Sequence, residues 1–171
     1  MLIGIMSDTH DNLDNLQRAV KLFNGAGVSK VYHAGDFTSG FTFRVLKDLR
    51  AEFTGIFGNN DGDVLLLEKF SQGRIRKQPY EFAIEGKKAV MVHEHLLIKP
   101  LTESGIYDVI IYGHTHKALV ETHGHTLVIN PGETCGWLHG KATVALLDTG
   151  NFQVTIIDLI TGEIDLTTGE A

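Results

Sequence analysis

In the first third of the chain, short apolar runs alternate with stretches whose apolar residues recur at helical spacing. The expected order is strand Leu2–Ser7, helix Leu13–Asn24, strand Lys30–Ala34, helix Phe41–Leu49, strand Glu52–Phe57 and helix Val64–Phe70. Successive βα units build a parallel sheet, because each helix carries the chain back so that the next strand starts in the same direction. Asp11-Asn12 can cap the first helix, whose apolar stripe is Leu13, Leu16, Ala19, Val20 and Phe23, and Gly25 and Gly27 stop it.

After about residue 74 the pattern changes to strands separated by turns: Glu81–Ile84, Lys87–Val92, Val109–Tyr112, Ala118–Thr122, Thr126–Ile129, Thr143–Leu147 and Phe152–Leu159. Glu85-Gly86 and His123-Gly124 read as hairpin turns. The most basic stretch, Arg74-Ile75-Arg76-Lys77, reads as a solvated strand or hairpin face. Parallel units followed by antiparallel hairpins imply an α/β fold of two packed sheets flanked by helices. We expect one domain over residues 1–159 and a frayed tail over 160–171, with an added strand as an alternative for part of that tail. At 171 residues the chain can bury a core without disulfide or metal staples.

The formal charge of −6 works against non-specific binding to a polyanion, since such binding comes mostly from Lys and Arg neutralising phosphates. Nucleic acid is therefore disfavoured as a partner, except as a small or cyclic nucleotide, and homo-oligomerisation is left open. The single cysteine, Cys135, has no intrachain partner, so it reads as a small buried hydrophobe in a protein of a reducing compartment. The apolar start Met1 to Met6 meets polar residues too soon for a signal-peptide core, and no run approaches the roughly 18 apolar residues of a membrane span. The expected location is the cytoplasm, with no membrane partner.

The polar, metal-competent residues fall where apolar strands end. Ile3 to Ser7 runs into Asp8-Thr9-His10, and Val31 to Gly35 into Asp36. Phe53 to Phe57 runs into Gly58-Asn59-Asn60-Asp61, Ala89 to Val92 into His93-Glu94-His95, and Val109 to Tyr112 into Gly113-His114-Thr115-His116. Ligands of open α/β sheets bind at the carboxyl ends of strands, so the five clusters can converge. Two divalent ions need roughly four to six donors each. Asp8, His10, Asp36, Asn59, His93, His114 and His116 supply seven, and a carboxylate can bridge. In an extended segment residues i and i+2 share a side, which would aim Asp8 with His10, and His114 with His116, at one locus.

On Asp8-x-His10, Gly35-Asp36, Gly58-Asn59-Asn60-Asp61, His93 and Gly113-His114-Thr115-His116, the chain resembles the calcineurin-like metallophosphoesterases, in particular their small archaeal and bacterial phosphodiesterase branch. The likeness runs over roughly residues 1–159. It implies a four-layer αββα sandwich of two mixed β-sheets flanked by helices. It also implies Asp8, His10 and His116 on one metal, Asn59, His93 and His114 on the other, and Asp36 bridging.

Three positions depart from the family pattern. Asn60 stands where many members place the His that acts as general acid. Phe37-Thr38-Ser39 replaces an acidic residue and Arg after Gly-Asp, and Glu94 replaces a Gly after the His93 position. An amide cannot give up a proton near pH 7, so the rate should depend steeply on leaving-group pKa unless another acid serves, His95 first. Asn60 and His95 are thus the candidate catalytic residues. His33 is expected to be a buried donor behind the ligands, and His123 and His125 exposed turn residues; His139 carries no signal.

The expected function is hydrolysis of P–O bonds, in a phosphodiester before a monoester, by attack of a metal-bound hydroxide between two divalent ions. Mn²⁺ suits the mixed Asp, Asn and His set best, with Fe²⁺, Zn²⁺ or Ni²⁺ as alternatives. The rivals are a protein-binding scaffold of the same fold with weak turnover, and a nuclease.

Overall fold

A computed structural model describes residues 1–167, with side chains through residue 164. The alternating first third forms β1 (Leu2–Met6), α1 (Leu13–Ala26), β2 (Lys30–His33), α2 (Phe43–Leu46), β3 (Glu52–Ile56), α3 (Val64–Ser71) and β4 (Ile75–Arg76). The remainder forms β5 (Tyr80–Ile84), β6 (Lys87–Met91), α4 (Ile98–Ser104), β7 (Val109–Ile111), β8 (Ala118–His123), β9 (Thr126–Pro131), β10 (Thr143–Asp148), β11 (Gln153–Asp158) and β12 (Ile164–Thr167). Among these residues no helix is long and apolar enough to cross a membrane.

The strands make two mixed sheets, ordered β12-β11-β10-β1-β2-β3-β4 and β5-β6-β7-β9-β8. Their layering follows from the period-2 alternation of side chains. In β1, Ile3 and Ile5 face the second sheet while Met6 faces the helices. In β7, Val109 and Ile111 face the first sheet and Ile110 faces α4. Three apolar layers result: one between the sheets, one under α1 and α2, and one under α4. Within the helical layer Leu16, Ala19, Val20 and Phe23 are buried along α1. Truncating a fully buried Phe such as Phe23 to Ala would cost about 3–5 kcal/mol.

Four expectations are corrected. The helix expected over Phe41–Leu49 shrinks to a 3₁₀ turn at Gly40–Thr42 followed by one turn of α2. Its end tightens through i to i+3 bonds from Asp48 N to Val45 O and from Leu49 N to Leu46 O, and the chain then drops into β3. Gly25 lies inside α1, and Gly27 alone takes the left-handed cap position at φ 67°. The second sheet is not built of antiparallel hairpins only, because β6, β7 and β9 run parallel to one another. The crossover from β6 to β7 is α4, which has no counterpart among the expected elements. Pro100 masks it in the sequence, but it sits in the first helical turn, where the missing N–H has no intrahelical partner to lose.

Other expectations hold with small shifts. Asn12 caps α1, its side chain accepting from Asn15 N, and Arg74–Lys77 contributes the edge strand β4 with Ile75 buried and Arg76 exposed. In the expected tail, Ile164–Thr167 adds antiparallel to β11, and residues 168–171 lie outside the described residues.

Candidate metal centre

The loops after β1, β2 and β3 are stitched to one another before any side chain is considered. Asp8 N donates to Gly35 O at 3.0 Å, and Thr9 N and His10 N both donate to Asp36 O. Asp61, buried, accepts from Gly58 N, Asp36 N and Thr38 N at 2.7 to 3.2 Å, so its carboxylate ties the β2 and β3 loops together. Asn130 does the same for the loop after β7, donating to Gly113 O and Thr115 Oγ1. Glycine is required where loops touch: a methyl group on Gly58 would collide with the Asp36 carboxylate, and one on Gly113 with the Ser7 hydroxyl.

Asp8, His10, Asp36, His114 and His116 all have positive φ, from 41° to 66°. This corrects the expected mechanism of convergence: Asp8 with His10, and His114 with His116, meet through left-handed turns and not through extended alternation. Non-glycine residues in this region cost about 1–3 kcal/mol each and persist where surrounding structure enforces them, which marks functional sites.

What the turns assemble is a compact set of lone pairs. Asp8 Oδ1 lies 3.8 Å from His10 Nε2 and 3.4 Å from His116 Nε2. Asp36 Oδ2 lies 3.5 Å from His10 Nε2 and 3.3 Å from His93 Nε2, so one carboxylate oxygen faces two groups of donors. Beyond His93, Asn59 Oδ1 stands 2.9 Å from His93 Nε2 and 2.9 Å from His114 Nδ1. All seven expected ligands therefore come together. Asp8–His10–His116 and Asp8–Asp36–His93 each bring one donor atom per residue within 4.8 Å of the others.

Two buried atoms in this set, Asp8 Oδ1 and His10 Nε2, have no hydrogen-bond partner in the structure. An unsatisfied buried polar group costs about 1–3 kcal/mol, and a cation between them would satisfy both. The donor chemistry agrees, since carboxylate, imidazole and amide oxygen suit hard to borderline divalent ions. The residues fit the metal that the sequence implies.

Hydrogen bonds from behind turn the imidazoles. His116 Nδ1 meets Glu133 Oε2 at 2.7 Å, His93 Nδ1 meets Ala34 O at 2.7 Å, and His10 Nδ1 meets Thr38 Oγ1 at 3.3 Å. In each case Nε2 is left for the locus. At Phe37-Thr38-Ser39, where the family pattern has an acidic residue and Arg, Thr38 orients His10 and Phe37 stacks on His33 at 3.7 Å. Burial pushes the Asp8 carboxyl up. Burial also opposes charge on Asp36 and His93, but their mutual contact outweighs it, holding Asp36 below the usual carboxylate range and His93 above the usual imidazole range. For Glu133, burial is outweighed by the bonds from His116 and from the Leu138 and His139 amides, and its pKa lies below the ordinary carboxylate value.

The remaining sequence candidates sit around this set. Asn60 is turned onto Asp36, its Nδ2 donating to Oδ2 at 2.7 Å and its main-chain N to Oδ1 at 2.8 Å. His95 is exposed and stacks on His114 with ring centroids 5.5 Å apart. His33 is buried, accepting from Gly35 N and meeting the Thr9 hydroxyl, and burial drives its pKa down to about 3, so it is neutral. His123 and His125 are exposed, as expected. Cys135 is buried, its thiol pushed up to about 12 by burial.

Sequence reasoning missed Glu133, which is fully buried and also accepts from Cys135 Sγ and from the main-chain N–H groups of Trp137, Leu138 and His139. The signal was present: Ile129-Asn130-Pro131-Gly132-Glu133 is a sixth apolar strand running into polar residues.

Residues 1–151 match the model of the calcineurin-like phosphoesterase superfamily domain. The chain is 41% identical to a phosphodiesterase of Methanocaldococcus jannaschii over 155 residues, covering 87% of this chain and 93% of the relative. Among solved structures it superposes on an archaeal phosphodiesterase with a TM-score of 0.86 at 38% identity, covering 92% of this chain and 99% of the other. The phosphoesterase Yfce from E. coli shares the fold, with a TM-score of 0.74 at 21% identity over 98% of each chain. With the strand-end donors drawn together and the family model matched over most of its length, the chain belongs to the calcineurin-like phosphoesterase superfamily.

Proposed function

We propose that this protein is a phosphodiesterase that hydrolyses P–O bonds with two divalent metal ions, Mn²⁺ first among them, in a single domain spanning residues 1–159. The observation that carries this reading is the Asp36 carboxylate, one oxygen of which lies within 3.5 Å of imidazole nitrogens on both sides. Asp8, His10 and His116 would hold one ion, Asn59, His93 and His114 the other, and Asp36 both. Bound there, such ions supply a lowered pKa for water and a positive clamp on the phosphoryl oxygens, which removes the need for a Ser or Cys nucleophile. The chain's own work is orientation. Glu133, Ala34 O and Thr38 fix the ring faces of His116, His93 and His10, and Asn60 holds both oxygens of Asp36. With the Asn60 amide committed to Asp36 and unable to release a proton, we assign protonation of the leaving group to His95, exposed beside His114. A cytoplasmic setting is supported by the one cysteine, which has no disulfide partner. The scaffold and nuclease readings are not favoured, since the donor set is complete and the charge of −6 opposes a polyanion.

The test is a panel of mono-, di- and cyclic phosphates assayed after chelation and after reloading with Mn²⁺, Fe²⁺, Zn²⁺ or Ni²⁺. Diester turnover should vanish on chelation and return with metal, while cooperative unfolding persists in the apo protein. Two bound ions with no turnover of any phosphate ester would overturn the reading. In the same panel His95→Ala should slow esters with poor leaving groups by about 10²-fold and spare good ones. Equal slopes of rate against leaving-group pKa in the two proteins would remove His95 from this role.

A further inference from the structure

Beside the first group of donors the structure holds an aromatic side chain that the chemistry above does not use. His116 stacks on His10 with ring centroids 5.1 Å apart, and His10 in turn lies against Trp137 at 6.2 Å and 28°. The indole thus ends a file of three rings that begins at the metal locus. It is 62% exposed, although a Trp side chain has more apolar surface to bury than any other residue. Nor is it loose. The main-chain N–H groups of Trp137, Leu138 and His139 all bond to the carboxylate of Glu133 at 2.6 to 3.1 Å, and that carboxylate is fully buried and holds His116. One buried side chain therefore fixes both a proposed metal ligand and the loop that presents the indole. An exposed ring carried on a fixed loop beside the reacting centre is a stacking platform, for which any planar π-face is a partner.

Resting on the phosphodiesterase reading, we propose that Trp137 is a specificity-determining residue that stacks on a planar aromatic substituent of the phosphate ester, a nucleobase or an aryl group.

The chain has one tryptophan, so its fluorescence reports on this residue alone. Adenosine 5′-monophosphate, phenyl phosphate and ribose 5-phosphate would be titrated into the Mn²⁺-loaded protein by fluorescence. Calorimetry would measure the affinities of these three ligands for Trp137→Ala and Trp137→Phe, with metal content counted in each. The expected result is saturable quenching by the aromatic phosphates and binding about tenfold tighter than ribose 5-phosphate. Trp137→Ala should abolish that preference with two metals retained, and Trp137→Phe should keep most of it. A preference for adenosine 5′-monophosphate over phenyl phosphate would identify the substituent as a nucleobase, and equal preference as any aromatic ring. Equal affinities for all three ligands, or a preference that survives Trp137→Ala, would overturn the proposal. If diester turnover by the natural protein persists alongside that failure, only the role of Trp137 falls. If turnover is absent while the preference holds, the reaction falls and the stacking stands.

Discussion

On one side of Asp36 stand Asp8, His10 and His116, and on the other Asn59, His93 and His114. The first group contains a buried carboxylate of its own, and behind His116 lies a second buried carboxylate, Glu133. The other group contains no carboxylate, so as cation ligands its members are neutral: His93 is backed by the main-chain carbonyl of Ala34, and Asn59 is exposed. Both unsatisfied atoms, Asp8 Oδ1 and His10 Nε2, belong to the first group, whereas in the other Asn59 Oδ1 already meets His93 and His114. Cation affinity follows ligand charge and preorganisation. On the proposed assignment, the difference teaches that one half is built to keep its ion, and the other would depend on Asp36 for its only negative charge.

The largest effect should come from removing what the halves share. Asp36→Ala should weaken binding at both positions and lower turnover by roughly 10³-fold, a loss of several kcal/mol of charge stabilisation. Asn59→Ala should weaken only the neutral half. Metal counting after dialysis checks both: two ions retained in Asp36→Ala, or both lost in Asn59→Ala, would break the division.

Glu133→Gln sharpens the contrast from the other side. The carboxylate behind His116 raises the basicity of that ring, and loss of such a partner typically costs about 10–100-fold in metal affinity. The loss should fall on one ion only, read by competitive chelation at each site. Equal weakening of both would mean that Glu133 supports the whole pocket and not one half of it.

How much of this was legible depended on whether a residue's role was local. Asp8, His10, Asp36, Asn59, His93, His114 and His116 stood out because each follows an apolar strand, and the topology that joins them is the repeating βα pattern itself. Glu133 follows the same rule after β9, and Asn130 stands near the end of that strand, yet the antiparallel hairpin β8–β9 hid that β9 runs parallel to β7 and ends at the same edge. The left-handed turns at five donors are imposed by contacts between loops distant in sequence, which no local propensity encodes. Helix α4 was masked by Pro100. Thr38 could be read only as a missing Arg, since its bond to His10 spans 28 positions.

His33 belongs to neither half but to the floor beneath both, meeting Thr9 in one loop and Gly35 in the next. Its folded pKa of about 3 lies below its ordinary 6.5, so between those values the unfolded chain binds the extra proton. Stability from this residue is therefore full above pH 6.5 and is lost as pH falls toward 3, at about 1.4 kcal/mol per pH unit. His33→Gln should flatten that part of the stability curve in denaturant titrations of the apo protein, whatever constant offset it adds by losing the stack on Phe37. An unchanged slope would show that His33 is not the buried neutral group.

The smallest effect should come from the hairpin that imitates the donor motif. His123-Gly124-His125 has the imidazole spacing of His114-Thr115-His116, and a groove of about 680 Å³ lined by His95, His123 and His125 runs along α4 toward the neutral half. Position decides against a metal role. His114 and His116 follow the end of a parallel strand and are held by Asp8, Asn59 and Glu133. His123 ends β8 at a hairpin turn, where it meets the exposed Glu121, and His125 is exposed in that turn. Exposed pairs of this kind contribute about 0–1 kcal/mol. The double variant His123→Ala/His125→Ala should therefore keep both ions, and its kcat/KM should stay within about twofold of the natural protein. Loss of one ion, confined to the Asn59 half, would mean that this half reaches into the groove and draws on the hairpin for the donors it otherwise lacks.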